Sequence, residues 1–205
     1  MDIKLNFINQ SNALNNPSVV IFQKNVATNF DELAVAWKVI RNCGPGSNHP
    51  FTFPMANTIA CAFGRDEYGA QLPARNGQRF DAVRSASGEQ LIPSSVPATS
   101  SKQIELVNML QKDALNAAMY KSSRLLAQKW SVVPKQKAVF EFRPTLWIGV
   151  ASQVVEGEVM NSAILSEIDT EVWLLGIASA DIVMTDGPGP RGGPFKFTLE
   201  NIQMA

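Results

Sequence analysis

The chain predicts an all-β protein, a two-layer antiparallel sandwich of roughly ten strands, and three observations predict it. Apolar and polar side chains alternate along many short segments, which is the period of a half-buried strand. Clusters of Gly, Pro, Asn and Ser separate those segments at short intervals, as sandwiches and barrels require. Hydrophobic residues make up 45% of the 205 residues, enough for a sizeable core, and all-β domains of about this size commonly fold as one unit. A single domain over residues 1–205 is therefore expected.

Ile3, Leu5 and Phe7 alternate with polar neighbours and form the first strand. Residues 9–16 are rich in Asn, Gln and Ser, end at Pro17 and read as a turn. Residues 18–24 hold Val19, Val20, Ile21 and Phe22, a continuous β-branched and aromatic run that suits a central strand covered on both faces. Residues 33–41 resume the alternation until Gly44, Pro45 and Gly46 stop it. Residues 51–63 read as a strand interrupted at Pro54, which belongs at an edge or a bulge because it cannot donate to a ladder.

Residues 80–84 and 90–93 flank Ser85, Ala86, Ser87 and Gly88 and read as a hairpin. Residues 93–102, rich in Ser, Pro and Thr, read as a mobile loop and the best site for a proteolytic cut. Residues 101–130 contain no Gly or Pro and are ambiguous. Good helix formers and a capping box of Ser100 with Gln103 favour a helix, while alternation from Ile104 to Gln111 favours strands. Strands are preferred, with one short helix between residues 101 and 120 as the runner-up. Further strands are expected at 138–142, 146–151, 162–168, 171–175, 182–185 and 195–202, the last preceded by a Gly-Pro run from Gly187 to Pro194. No repeat of fixed period is evident.

Charged residues are 18% of the chain, against about 25% in an average soluble domain. Eighteen Lys and Arg balance eighteen Asp and Glu, so the chain has no electrostatic reason to bind nucleic acid. A neutral polar surface lacks colloidal repulsion and favours self-association. The start has no basic segment followed by an apolar run, and no stretch approaches the roughly 18 apolar residues of a membrane helix. The expected location is cytoplasmic at synthesis, with release by a route without a signal peptide left open. Cys43 and Cys61 are expected as reduced, partly buried thiols, a disulfide across neighbouring strands being the alternative.

The stretches Phe7-Ile8-Asn9-Gln10-Ser11, Val20-Ile21-Phe22-Gln23-Lys24-Asn25-Val26-Ala27, Leu33-Ala34-Val35-Ala36-Trp37-Lys38-Val39-Ile40 and Leu175-Gly176-Ile177-Ala178-Ser179-Ala180-Asp181-Ile182 resemble an uncharacterised family of small bacterial proteins. The resemblance runs through nearly the whole chain. It implies a bacterial origin, and some members of that family carry the label of aromatic ring-opening dioxygenase. Extradiol ring opening needs iron held by two histidines and a carboxylate, and His49 is the single histidine here. No metal or cofactor is expected.

Hydrolase chemistry fares no better, since no Gly-x-Ser-x-Gly elbow places a nucleophile beside His49. Glu156 with Glu158, and Asp169 with Glu171, have the spacing of paired carboxylates but read as solvated edge charges. The run from Gly187 lacks the lysine and hydroxyl of a phosphate loop and reads as a flexible connection. His49 reads as a loop histidine hydrogen-bonded to backbone. Phe51 and Phe53, between Pro50 and Pro54, read as an exposed aromatic tip, and Trp130 and Trp173 follow polar neighbours and suit exposure.

These five residues are the candidate contact surface. The function expected is non-catalytic: self-assembly, or binding of a neutral ligand such as a carbohydrate. The first alternative is a membrane-interacting, toxin-like sandwich whose aromatic loops engage the interface, weakly supported because no basic patch accompanies the aromatics. An enzyme is the second.

Overall fold

A computed structural model describes residues 2–13, 16–27, 34–64, 67–187 and 193–205. Leu33, which opens the third expected strand, and residues 188–192 of the Gly-Pro run lie outside the described residues. The protein is all-β: among the described residues 53% are in strands and one helix has 5 residues.

The first eight strands are β1 (Ile3–Asn9), β2 (Val19–Phe22), β3 (Lys38–Ile40), β4 (Asn48–Phe53), β5 (Asn57–Phe63), β6 (Leu72–Ala74), β7 (Arg79–Ser85) and β8 (Gly88–Pro93). The remaining eight are β9 (Ile104–Asn108), β10 (Leu115–Lys121), β11 (Arg124–Val132), β12 (Lys137–Phe140), β13 (Thr145–Val150), β14 (Thr170–Trp173), β15 (Ile177–Asp186) and β16 (Phe195–Met204). The helix α1 (Ser162–Ser166) lies between β13 and β14.

These strands form four sheets of four, and the chain gathers into two compact units. The first comprises Met1–Lys24, Leu33–Met55 and Pro144–Ala205; its sheets run β16-β15-β1-β4 and β14-β13-β2-β3. The second comprises Asn25–Glu32 and Ala56–Arg143; its sheets run β12-β9-β7-β8 and β11-β10-β5-β6. The sequence reading expects one domain and roughly ten strands. The higher strand count comes from strands of three or four residues, too short to show alternation, and from breaks at turns.

The two units share one topology. If β1–β8 are matched in order to β9–β16, the sheet β16-β15-β1-β4 becomes β8-β7-β9-β12 and the sheet β14-β13-β2-β3 becomes β6-β5-β10-β11. Strand directions agree as well: β1 with β15 and β7 with β9 are the parallel pairs, and the other pairs are antiparallel. The left-handed residues Asn42 and Gly46 before β4 recur as Ser131 and Lys135 before β12. The protein thus holds two structural repeats, β1–β8 and β9–β16, and each gives half its strands to each unit. Besides lending Asn25–Glu32 to the second unit, the chain crosses at Met55 to Ala56 and at Arg143 to Pro144, equivalent points beside Pro54 and Pro144. No fixed period is visible in the sequence because most of the shared features are backbone roles, such as these left-handed positions, filled by different side chains.

Burial explains the strands that the sequence predicts well. In β1, Ile3, Leu5, Phe7 and Asn9 are buried while Lys4 is exposed. All four residues of β2 are buried, as expected of a central strand. Its Val20 and Phe22 meet Ala36, Val154, Met160 and Ile168, with Trp147, Ile164 and Leu165 packed at the margin. Each such apolar side chain contributes about 1.5–3 kcal/mol on burial. The second unit buries Ile59, Phe80, Leu106, Leu115, Met119 and Phe140.

Several expectations are corrected. Residues 104–108, 115–121 and 124–132 are strands, so the runner-up helix between residues 101 and 120 is not formed. Residues 51–63 are two strands, because Pro54 ends β4 before β5 begins. Residues 162–168 hold α1 rather than a strand, since the Asn161 side chain accepts from the Ile164 N–H and caps the first turn. Residues 34–37 are buried on both faces and bond the 157–160 turn through Ala36 N to Glu158 O and Met160 N to Ala34 O. Residues 93–102, expected as a mobile loop, hold the end of β8 and most of the connection to β9. They are tied by Ser94 N to Arg79 O, Ala98 N to Gly77 O and Thr99 N to the Glu105 carboxylate.

Candidate functional site

The five candidate contact residues do not form one surface. Phe53 is corrected outright: it is 1% exposed, lies opposite Ile3 on β1 and meets Trp37 edge to face at 5.3 Å. Alternation places Phe51 and Phe53 on one face of β4 but does not reveal that this face points at the core. Phe51 is half-buried opposite Leu5, with the Lys38 ammonium 5.5 Å from its ring.

His49 is also corrected, because it lies within β4 and not in a loop. Pro50 tolerates this strand because β4 is the edge of its sheet. The His49 ring faces Phe7 at 6.3 Å, and its Nε2 is enclosed without a hydrogen-bond partner among the described residues. A shallow groove of about 300 Å³ beside it is lined by Lys38, Val39, Ile40, Arg41, Asn48, His49 and Pro50. Its charged groups are cations. A histidine acting as general base needs a carboxylate or carbonyl to orient it and a nucleophile within reach, and this lining offers no carboxylate and no hydroxyl or thiol side chain.

Glu156 accepts a hydrogen bond from the Val39 N–H, and Asp169 from the Thr170 hydroxyl. Among the described residues, no group of three or more His, Cys, Asp and Glu could hold a metal ion. Cys43 and Cys61 are free and buried. Burial pushes the Cys43 thiol up to about 11 although a backbone hydrogen bond at Val19 opposes it. Burial, with the nearby Glu89 charge, pushes Cys61 up to about 12. Neither is a ready nucleophile.

Trp130 and Trp173, whose neighbours in sequence allowed either burial or exposure, are both more than half exposed. Trp130 lies on β11 in the second unit and Trp173 on β14 in the first. Trp173 has company that the sequence reading missed. Leu175, Ile202 and Met204 are exposed in the same unit, Leu175 by 73% and Met204 by 69%. Met204 pairs with Ile177, and Ala205 N bonds Gly176 O, which brings the end of β16 against the turn after β14. Exposed apolar residues gathered in this way mark interaction sites more often than scattered ones do.

The sheet edge beside this patch differs from the others. Open edges invite pairing with another chain, and proteins blunt them with proline, shortness or irregularity. Here β4, β6 and β8 carry Pro50, Pro73 and Pro93, while β3, β12 and β14 have four residues or fewer. Two register shifts and left-handed Ser131 break β11. β16 also has two register shifts and a left-handed residue, but they fall near its end: it has ten residues, no proline and unbroken register from Phe195 to Glu200, a longer run than β11 keeps. Among the described residues it pairs with β15 alone.

The face that β16 shares with Ile182 and Met184 carries Phe195, Phe197 and Leu199. Its other face carries Lys196, Thr198 and Glu200. Left-handed Asn201 then interrupts the ladder and donates to Asp181 at 2.6 Å, where Asn6 also donates. A groove of about 320 Å³ on that polar face is lined by Lys4, Asn6, Pro50, Ser179, Asp181, Asn201 and Gln203 among others. Among the described residues, no helix is long and apolar enough to cross a membrane.

No protein-family model, curated protein or solved structure matches the chain.

Proposed function

We propose that this is a non-catalytic protein of bacterial origin that assembles with copies of itself, each unit being a two-layer sandwich of eight strands. The bacterial origin rests on the family resemblance alone. The observation that carries the assembly reading is β16, the longest edge strand, free of proline and in unbroken register from Phe195 to Glu200, beside edges that are shorter and carry proline, have four residues or fewer, or break register sooner. Its backbone donors and acceptors offer an incoming strand a ready ladder, and Trp173, Leu175, Ile202 and Met204 add apolar surface beside it.

The test is the mass of the purified chain by light scattering after size exclusion, across dilution, joined to hydrogen exchange at each concentration. A defined oligomer with amides of β16 that gain protection as it forms is expected. A monomer throughout, or an oligomer that protects other strands and leaves β16 unchanged, overturns the reading.

A neutral polyol or carbohydrate is the second reading, favoured by the amide-rich groove at Asn6, Asp181, Asn201 and Gln203. Quenching of tryptophan fluorescence would not report on that groove, which holds no tryptophan, so a glycan array is the suitable probe. Membrane action, the third reading, predicts leakage from liposomes.

A further inference from the structure

The assembly reading leaves the geometry of pairing open, and the charges on β16 restrict it. This inference rests on that reading and concerns the same edge. β16 carries two charged residues, Lys196 and Glu200, both exposed and on one face with Thr198 between them. Identical edges that meet about a two-fold axis run antiparallel and make the same contacts twice.

We propose that β16 pairs with β16 of a second copy about a two-fold axis at Thr198. In this register Lys196 lies opposite Glu200 of the partner subunit, and Glu200 opposite Lys196 of the partner subunit. Phe197 on the other face lies opposite Leu199 of the partner subunit. No other antiparallel register sets these opposite charges face to face, and registers centred on Lys196 or on Glu200 set like charges against each other, which is unfavourable. The register uses the unbroken part of β16 and stops at left-handed Asn201. The result is a continuous sheet, β4-β1-β15-β16 followed by the same four strands in reverse. Each Lys196 also keeps its own Asp186, whose carboxylate lies 3.0 Å from the ammonium, so the pairing adds a second anion to a cation that is already anchored.

Charge exchange on the full chain tests this. Glu200→Lys sets lysine against lysine twice and should weaken association roughly tenfold or more. Lys196→Glu sets glutamate against glutamate twice and should do the same, and it also removes the ion pair with Asp186 of its own chain. The double variant K196E/E200K restores opposite charges in both pairs and should regain most of the lost affinity. Thr198→Lys, at an exposed position with little bearing on folding, sets like charges on the axis and should weaken association as well.

Association of all four variants at wild-type strength, with β16 still protected on assembly, overturns the register and leaves the edge in use. Single variants that weaken association without rescue in the double variant overturn the pairing of Lys196 with Glu200. A wild-type chain that stays monomeric overturns the assembly reading itself, a different result from either.

Discussion

Asn9 and Asn108 hold the same place in the two units. Each ends its strand, is fully buried and accepts through its side-chain oxygen from the N–H two residues on, Ser11 at 2.8 Å and Leu110 at 3.0 Å. Each donates through its amide to a distant backbone carbonyl, Cys43 at 2.6 Å and Val132 at 2.8 Å. Their main chains match too, since Asn9 N bonds Ser47 O and Asn108 N bonds Gln136 O, while Gly46 and Lys135 return the bond to the two carbonyls. One asparagine thus closes the same corner in both units.

Replacing either asparagine strands buried donors and acceptors, so Asn9→Ala and Asn108→Ala should each cost about 2–3 kcal/mol. Asn108→Ala should cost more, because its amide also donates to Asp113 O at 3.0 Å. Denaturant unfolding of each variant gives the measurement. A loss under about 0.5 kcal/mol would mean the main-chain bonds hold the corner alone.

Glu105 predicts an acid response. Burial alone would raise its carboxyl, but hydrogen bonds from Lys137 and Thr99 and the Lys137 charge outweigh that and hold it below the usual carboxylate range. The ammonium of Lys137 lies 2.6 Å away. A carboxyl lowered on folding adds stability that is whole above its unfolded value and is lost as pH falls through its folded value. Glu105→Gln should therefore flatten the acid limb of the stability curve. Lys137→Met should cost about 1–2 kcal/mol near neutral pH, the lysine being partly solvated. An unchanged acid limb in Glu105→Gln would place the sensitivity elsewhere.

The two thiols should ignore a thiol reagent at pH 8 while the chain is folded, because burial keeps them protonated and shielded. Both should react in denaturant. Rapid labelling of native protein, mapped to Cys43 or Cys61, would show that the strand or loop holding it opens readily.

Gly149 on β13 is needed for close approach. A Cβ there would lie 2.7 Å from the Ile168 Cγ1, so Gly149→Ala should cost about 1–3 kcal/mol by overpacking. Adding Ile168→Val should recover part of that loss, and strict additivity in the double-mutant cycle would contradict the contact.

Much of the fold was legible. Ile3, Leu5 and Phe7 announce β1, the run Val19 to Phe22 announces a buried centre, and Ser85 to Gly88 announces the β7–β8 hairpin. Periodicity says which residues share a face and not which face is covered, and so Phe53 was expected outside. Register between remote strands leaves no local mark either, which is why the parallel pairing of β1 with β15 was invisible. The structural repeat was hidden for a related reason. Asn42 and Ser131, or Gly46 and Lys135, do the same backbone work with unlike side chains. The β16 edge was half legible: its alternation could be read, but its position at a rim depends on where every other strand goes.

The exchange of halves between repeats bears on how a ribosome delivers the chain. The second unit draws its strands from Ala56–Arg143 without interruption and has all of them once that stretch emerges. Strands β1 to β4 come first and finish last, because β1 needs β15 and β2 needs β13. At roughly 5–20 residues per second of synthesis, they wait on the order of ten seconds with apolar faces uncovered. The earliest part of the chain is thus the part most in need of protection while it is made.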